Sequence, residues 1–153
     1  MKLMWMVAIL MAGGAPAWAG PIRGLVKAGA TSNATALEKG LTHKKSYARE
    51  LAARQLARLQ PTDNATALLA ACVKSSAERG YVRAACASTL ATWGVKSADE
   101  AIIAAIAEAP PDAKYWLAEA LHRLDTPAGR SHIVGLQSDM DVFLATSARE
   151  WSK

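Results

Sequence analysis

The sequence predicts an all-α protein, organised as an α-solenoid of about four helix-turn-helix repeats. Alanine is abundant, Phe143 is the only phenylalanine, and no stretch alternates apolar and polar residues with the period of two that marks a strand. One twelve-residue pattern occurs four times along the chain, and such self-similarity is the signature of a repeat architecture. Pro61, Pro110, Pro111 and Pro127 lie between the predicted helices, where a helix must end.

Residues 1–19 have the anatomy of a secretory signal peptide. A single charge at Lys2 is followed by a short apolar run and by the small-x-small sequence AWA, which ends at Ala19. The apolar run is shorter than the about 20 helical residues that span a bilayer. We therefore expect cleavage after Ala19 and an exported protein, either periplasmic or secreted, with no membrane span. An uncleaved anchor is the alternative.

The four copies of the pattern are predicted to be the inner helices of the repeats. They are Ala48–Leu59, Val82–Trp93, Ala113–Leu124 and Met140–Trp151. Apolar residues recur at positions 1, 4, 5, 9 and 12 of the pattern, which is the 3.6-residue period of an amphipathic helix. Position 6 is alanine in every copy. Small residues beside the apolar stripe allow neighbouring helices to approach closely.

A second helix precedes each copy and begins at a residue that caps helices. These helices start near Ser32, Asp63, Ser97 and Thr126, whose side chains accept hydrogen bonds from the free amides of a first turn. The domain is therefore expected to span residues 33–153. Its repeats are expected at about 33–60, 63–94, 97–125 and 127–151. Residues 20–32 match no repeat and are predicted to be a linker or an N-terminal cap.

The stretch VRAACASTLATWG resembles the inner helix of HEAT-like repeats of the phycobilisome-lyase type, whose pattern runs V-R-x-A-A-x-x-A-L-x-x-L-G. The resemblance covers about residues 32–151 and is weakest in the fourth repeat. There Asp141 replaces the basic residue that the other repeats have as Arg49, Arg83 and Lys114. The resemblance implies a curved surface that binds other macromolecules, without implying lyase activity. It also implies that these basic residues bond between adjacent repeats.

Cys72 and Cys86 are predicted to form a disulfide. An even number of cysteines in an exported chain favours such a bond. The turn of the second repeat is expected to centre near Arg79, which would place the two side chains at the same level of an antiparallel helix pair. Closing this loop would stabilise the fold by roughly 3 kcal/mol. Two reduced and packed cysteines are the alternative.

The sequence contains no recognisable motif for catalysis, metal binding or cofactor binding. His43, His122 and His132 are scattered over different predicted elements. None of them belongs to a His-Glu dipeptide, the motif with which HEAT-like hydroxylases hold a di-iron centre. The sequence also lacks a haem-attachment motif, a glycine-rich phosphate loop and a nucleophile elbow. We therefore expect no metal, no cofactor and no enzymatic activity.

Charge is distributed unevenly along the expected mature chain. Residues 20–83 hold eleven Lys and Arg against four Asp and Glu, whereas residues 84–153 hold six against nine. The basic half suggests an alternative function, the binding of a polyanion such as an acidic envelope polymer. The cations that would bind it are Lys44, Lys45, Arg49, Arg54 and Arg58. Nucleic acid is not the expected ligand of an exported protein.

The favoured function is a non-enzymatic protein–protein interaction or scaffold module. A repeat stack presents an extended, pre-formed surface, and positions 3, 7, 10 and 11 of the pattern are expected to be exposed on it. The partner-binding residues predicted there are Arg54, Arg58, Tyr115, Glu119, His122 and Arg123. At the C-terminal end, Phe143 and Trp151 are expected to leave an apolar edge that favours self-association or docking to a larger protein.

Overall fold

A computed structural model describes residues 19–153, which form nine α-helices and no strand. The helices are α1 (Ala19–Ala30), α2 (Ala34–Leu41), α3 (Ser46–Leu56), α4 (Asp63–Lys74), α5 (Gly80–Thr92), α6 (Asp99–Glu108), α7 (Pro111–Leu124), α8 (Pro127–Gly135) and α9 (Val142–Trp151). Short 3₁₀ turns lie at Lys96–Ala98 and Leu136–Ser138. The all-α prediction is confirmed for these residues. The predicted signal peptide lies outside them, apart from Ala19.

Polar side chains begin several of the helices, as their residue types favour. Asn33 accepts a hydrogen bond of 3.0 Å from the Ala36 amide at the start of α2. Thr62 does the same for α4, and Thr126 for α8. These bonds satisfy amides that the first turn of a helix leaves without a partner. The first residue of α8 is Pro127, which has no amide hydrogen to satisfy.

The helices follow one another in two series of neighbours. On one side α3 packs against α5, and α5 against α7. On the other side α2, α4, α6 and α8 pack against one another in chain order. The helices α3, α5 and α7 each also pack against the helix that precedes them in the chain. The last helix, α9, packs mainly on the 3₁₀ turn before it, and also contacts α8 and α7.

Three positions of the twelve-residue pattern are buried in all four copies. Position 5 is occupied by Ala52, Cys86, Leu117 and Leu144. Position 6 is occupied by Ala53, Ala87, Ala118 and Ala145, and position 9 by Leu56, Leu90, Leu121 and Ala148. Position 1 is buried in three copies, but Met140 in the fourth is 99% exposed. Position 4 is only partly internal, since Ala85 is buried whereas Trp116 and Phe143 are exposed. The continuous core therefore lies along positions 5, 6 and 9.

The small residues of α5 match its central place between α3 and α7. Residues 82–87 are all buried. A Cβ atom on Gly80, the first residue of this helix, would lie 2.7 Å from the Cβ atom of Ala113 on α7. Backbones approach this closely only where side chains are short or missing.

Residues 19–30, for which the sequence offered no repeat pattern, form helix α1. This helix packs on α2 and α3 and buries Leu25 and Ala28. The approach is close, because a Cβ atom on Gly40 of α2 would lie 2.6 Å from the Cδ2 atom of Leu25. The N-terminal side of α2 and α3 is therefore covered by a helix of the same chain. None of the helices described is both long and apolar enough to cross a membrane.

The predicted disulfide between Cys72 and Cys86 is absent, and both residues are free thiols whose sulfurs are not at bonding distance. The reason is the register of the helix pair. Helix α4 ends at Lys74 and α5 begins at Gly80, so the middle of the turn lies near Ala77 and not near Arg79. Cys72 consequently lies level with Val82, whose carbonyl oxygen accepts a hydrogen bond of 3.8 Å from its thiol.

Candidate functional site

A groove runs over the exposed side of the helices α3, α5 and α7. Its volume is about 310 Å³. The residues that line it are Arg54, Ala57, Tyr81, Ala84, Ala85, Ser88, Thr89, Asp112, Ala113, Trp116 and Glu119. Three helices that are distant in the chain therefore contribute to one cavity, which makes it the first candidate for a binding site.

Short side chains form the floor of the groove, and aromatic side chains stand at its sides. The floor belongs to α5, where Ala84, Ala85 and Ser88 leave room above the backbone. Trp116 on α7 is 57% exposed and Tyr81 on α5 is 38% exposed. The Tyr81 hydroxyl donates a hydrogen bond of 2.6 Å to Ser46 Oγ on α3, which fixes the ring across two helices.

The charges of the groove differ between its two sides. On the α3 side, Arg54 lies 2.8 Å from Glu50, which neutralises it. On the α7 side, Glu119 lies 3.9 Å from Arg123. Asp112 makes no ion pair with any residue of the described part of the chain. The α7 side therefore carries an excess of negative charge.

The structure brings two of the six predicted binding residues into the groove, Arg54 and Glu119. Arg123 lies beside it and donates hydrogen bonds of 2.8 Å to Thr92 Oγ1 and 3.3 Å to Ser88 Oγ, so it holds α7 to α5. Arg58 lies two residues beyond the end of α3 and is exposed, but does not line the groove.

The other two predicted residues, Tyr115 and His122, belong to an aromatic cluster between α7 and α9. The ring centre of Tyr115 lies 5.0 Å from that of Trp116, 4.9 Å from that of Phe143 and 5.7 Å from that of Trp151. The His122 ring stacks on Trp151 at 5.2 Å. Of the two residues predicted to form an apolar edge, Trp151 is half-buried by these contacts and Phe143 is 66% exposed.

Ion pairs connect each of the helices α3, α5 and α7 with the helix pair that follows it in the chain. Arg49 Nη2 donates a hydrogen bond of 2.8 Å to Glu78, and Arg83 lies 3.4 Å from Glu108. In the same way Lys114 Nζ lies 2.7 Å from Asp139. The three bases occupy position 2 of the pattern, and their acids follow 29, 25 and 25 residues later. This regular pairing gives position 2 a structural role.

The pKa values of the two well-shielded acids follow from these pairs. Burial raises the pKa of Glu78, but hydrogen bonds from Arg49 and from the Arg79 amide outweigh it and lower the pKa below its ordinary value. A hydrogen bond from Lys114, and a second from the Asp141 amide, lower the pKa of Asp139. Both acids are therefore held in the charged form that their partners require.

The basic residues that would bind a polyanion do not form one free cluster. Lys44 and Lys45 are exposed just before α3. Arg49, however, bonds to Glu78 and to the His43 carbonyl oxygen. Arg54, one turn further along α3, pairs with Glu50. Two of the five cations are thus already committed to carboxylates of the same chain.

One histidine has an unusual environment. The Nε2 atom of His132 on α8 is buried and has no hydrogen-bond partner. Burial, followed by the positive charge of Lys114, lowers the pKa of this side chain below its ordinary value. The neutral form is therefore favoured in the folded protein. Within residues 19–153, no three His, Cys, Asp or Glu side chains are grouped closely enough to hold a metal ion.

The chain matches no protein-family model, and no curated protein is significantly similar to it in sequence.

Three groove residues with aromatic or charged side chains escaped the sequence-based prediction: Asp112, Trp116 and Tyr81. Trp116 occupies position 4, which the periodicity placed inside, but this position lies at the border of the buried stripe. A small residue is covered there, as Ala85 is, whereas the large indole extends beyond the interface. One signal was available, because Asp112, Trp116 and Glu119 are spaced four and three residues apart and so share one helix face.

Proposed function

We propose that this protein is an exported, non-enzymatic protein–protein interaction module, built as an α-solenoid of about four HEAT-like repeats. The groove over α3, α5 and α7 is its docking surface in this proposal. The observation that carries it is the exposed Trp116 in a pre-formed cavity to which three inner helices contribute. Tryptophan, tyrosine and arginine are the residues that dominate binding energy at protein interfaces.

The repeat architecture is supported by interactions that recur between successive units. Besides the three ion pairs, the Trp93 indole donates a hydrogen bond of 2.9 Å to the Leu59 carbonyl oxygen, 34 residues earlier. The buried Thr89 hydroxyl lies 2.8 Å from the Ala53 carbonyl oxygen, 36 residues earlier. Contacts at such separations join neighbouring units of the proposed stack, in which each repeat is stabilised by the next.

A fixed groove favours binding because little order has to be gained when the partner arrives. Tyr81 is held by Ser46, and Arg123 is held by Ser88 and Thr92, so the sides of the groove are already positioned. Among the α5 residues that line the groove, Ala84 and Ala85 carry only methyl groups. We infer that the ligand of the groove is a chain segment of a partner protein and not a small molecule.

Site-specific crosslinking tests this function. Tyr81 is replaced by photoreactive benzoylphenylalanine, which preserves an aromatic ring in the groove, and the same residue is placed at Val134 on α8 as a control. Val134 is 54% exposed and lies away from the groove. We expect a discrete protein adduct in cells from position 81 alone, lost when Trp116→Ala is added. The same adducts from both positions, or none from position 81, would refute the groove as a docking surface.

Export is tested separately, by sequencing the N-terminus of the protein isolated from its native source. The proposal requires a chain that begins at Gly20, and it requires this chain outside the cytoplasm. A chain that still begins at Met1 would contradict export and would leave the crosslinking result to be interpreted for another compartment.

A further inference from the structure

The α7 side of the groove combines an exposed tryptophan with two carboxylates. Asp112, Trp116 and Glu119 lie on one face of the helix, with the indole between the two carboxylates in the chain. Trp116 is 57% exposed. Its neighbour Tyr115 meets it edge to face, with ring planes at 83°, so this contact leaves a large part of the indole free.

The two carboxylates remain able to accept hydrogen bonds from a ligand. Asp112 has no ion-pair partner within residues 19–153. Glu119 is 3.9 Å from Arg123, beyond hydrogen-bond distance, because that guanidinium donates to Thr92 and Ser88 instead. Opposite them, the charge of Arg54 is met by Glu50 at 2.8 Å.

An exposed indole between two carboxylates is suited to a cationic side chain. A cation is attracted to the face of an aromatic ring, most strongly to that of tryptophan. Carboxylates on either side add charge-assisted hydrogen bonds. Arginine fits better than lysine, because its planar guanidinium both stacks on a ring and donates several hydrogen bonds in a fixed geometry.

We propose that the groove binds its protein partner through an arginine side chain that lies over Trp116 and pairs with Asp112 and Glu119. This inference rests on the proposed function and specifies the partner as a basic segment. The charge of the whole chain, a formal +5, would not suggest such a ligand. The local arrangement decides the sign, since Asp112 lines the groove and makes no ion pair within residues 19–153, whereas Arg54 pairs with Glu50.

Fluorescence polarisation with two short peptides tests the proposal. The probe is fluorescein-labelled Gly-Ser-Leu-Arg-Leu-Ser-Gly, and its partner replaces arginine by citrulline, which has nearly the same shape and no charge. We expect the arginine peptide to bind at least about tenfold more tightly to the wild-type protein. In the variant Asp112→Asn/Glu119→Gln this preference should disappear. The control variant Asp99→Asn/Glu100→Gln removes two charges on α6, outside the groove, and should retain it.

A second readout locates the ligand. The indole N–H signal of Trp116, assigned in a nuclear magnetic resonance spectrum by its loss in Trp116→Leu, should shift when the arginine peptide is added and should not shift with the citrulline peptide. Unfolding curves of every variant show whether a loss of binding reflects a loss of folding. Equal binding of the two peptides, binding unaffected by Asp112→Asn/Glu119→Gln, or no binding at millimolar peptide would overturn the proposal.

The test separates this inference from the proposed function. If Trp116→Ala removes the crosslinked partner while Asp112→Asn/Glu119→Gln preserves both the partner and its affinity, the groove is a docking surface but its ligand is not cationic. Tighter binding of an acidic polymer than of the arginine peptide, weakening steeply with salt, would overturn the inference in favour of the polyanion alternative.

Discussion

Replacing Gly80 by alanine should destabilise the protein, although helix propensity alone predicts the opposite. Gly80 is the first residue of α5, and alanine is the better helix former by about 1 kcal/mol in a helix interior. The added Cβ atom would lie 2.7 Å from the Ala113 Cβ atom and 3.2 Å from the Pro110 Cδ atom. Neither atom belongs to a flexible side chain that could move aside. One of the two helices must therefore shift.

The expected size follows from the two opposing effects. Inserting a methyl group into a packed interface costs about 1–3 kcal/mol. The gain in helix propensity is smaller at the first residue of a helix than in its interior. The free energy of unfolding should thus fall by about 1–2 kcal/mol, which lowers Tm by roughly 3–6 °C for a domain of this size.

Urea unfolding followed by circular dichroism measures this change, and two variants provide its controls. Gly24→Ala introduces the same methyl group in α1, where nothing lies within 4 Å, and should stabilise by up to about 1 kcal/mol. Ala113→Gly removes the opposing methyl group on α7. Ala113→Gly should therefore lower the free energy of unfolding less in the Gly80→Ala background than in the wild type. The difference between the two effects, which is the coupling energy of the pair, should be about 1 kcal/mol or more. If Gly80→Ala stabilises as much as Gly24→Ala, the close approach of α5 and α7 is refuted.

Three further outcomes follow from the structure. Because the pKa of His132 is lowered in the folded state, its contribution to stability should be present above the unfolded pKa near 6.5 and be lost as the pH falls through the lower folded value. The urea midpoint of His132→Leu should therefore depend less on pH than that of the wild type. Alkylation in denaturant without a reductant should label both cysteines, whereas in the native protein Cys86 should be spared, because burial and then Cys72 raise the pKa of its thiol. A pair that labels only after reduction would contradict the free thiols. Finally, light scattering should show that the protein self-associates increasingly with concentration. The variant Phe143→Ser should not self-associate, because the Phe143 side chain is 66% exposed in the wild type. A wild type that stays monomeric at all concentrations would exclude self-association through this edge.

The periodicity of the sequence placed the centre of the core but not its borders. Of the five apolar positions in the pattern, positions 5 and 9 are buried in all four copies, as are the alanines of position 6, because a 3.6-residue period directs these side chains to one side of the helix. Position 1 is exposed at Met140, and position 4 is exposed at Trp116 and Phe143. Residue types similarly indicated where helices begin: Thr126 caps its helix as predicted, and the caps Asn33 and Thr62 lie one residue from the predicted Ser32 and Asp63. Such features depend on neighbours within one or two turns, and these neighbours are visible in the sequence.

Features that depend on the relative placement of separate helices were predicted less well. The residue of α5 that lies level with Cys72 depends on where the turn between α4 and α5 is centred. The turn was predicted near Arg79 and lies near Ala77, and this difference of two residues is enough to prevent the disulfide. The resemblance implied that Arg49 bonds between adjacent repeats, but its partner, Glu78, lies 29 residues away, which a count of charges does not show. Arg54, which the sequence offered as a binding residue, pairs with Glu50.

The sequence by itself determined that this chain is helical and which positions form the centre of its buried stripe. Only the tertiary structure decided that the exposed faces of α3, α5 and α7 enclose a groove, and that Trp116 with Asp112 lies in it. The physical reason is that burial within a helix follows from local periodicity, whereas a cavity is the space that remains after several helices have packed. That space depends on small residues such as Gly80 and Ala84, which in the sequence indicate that helices approach closely but not which surfaces they leave open.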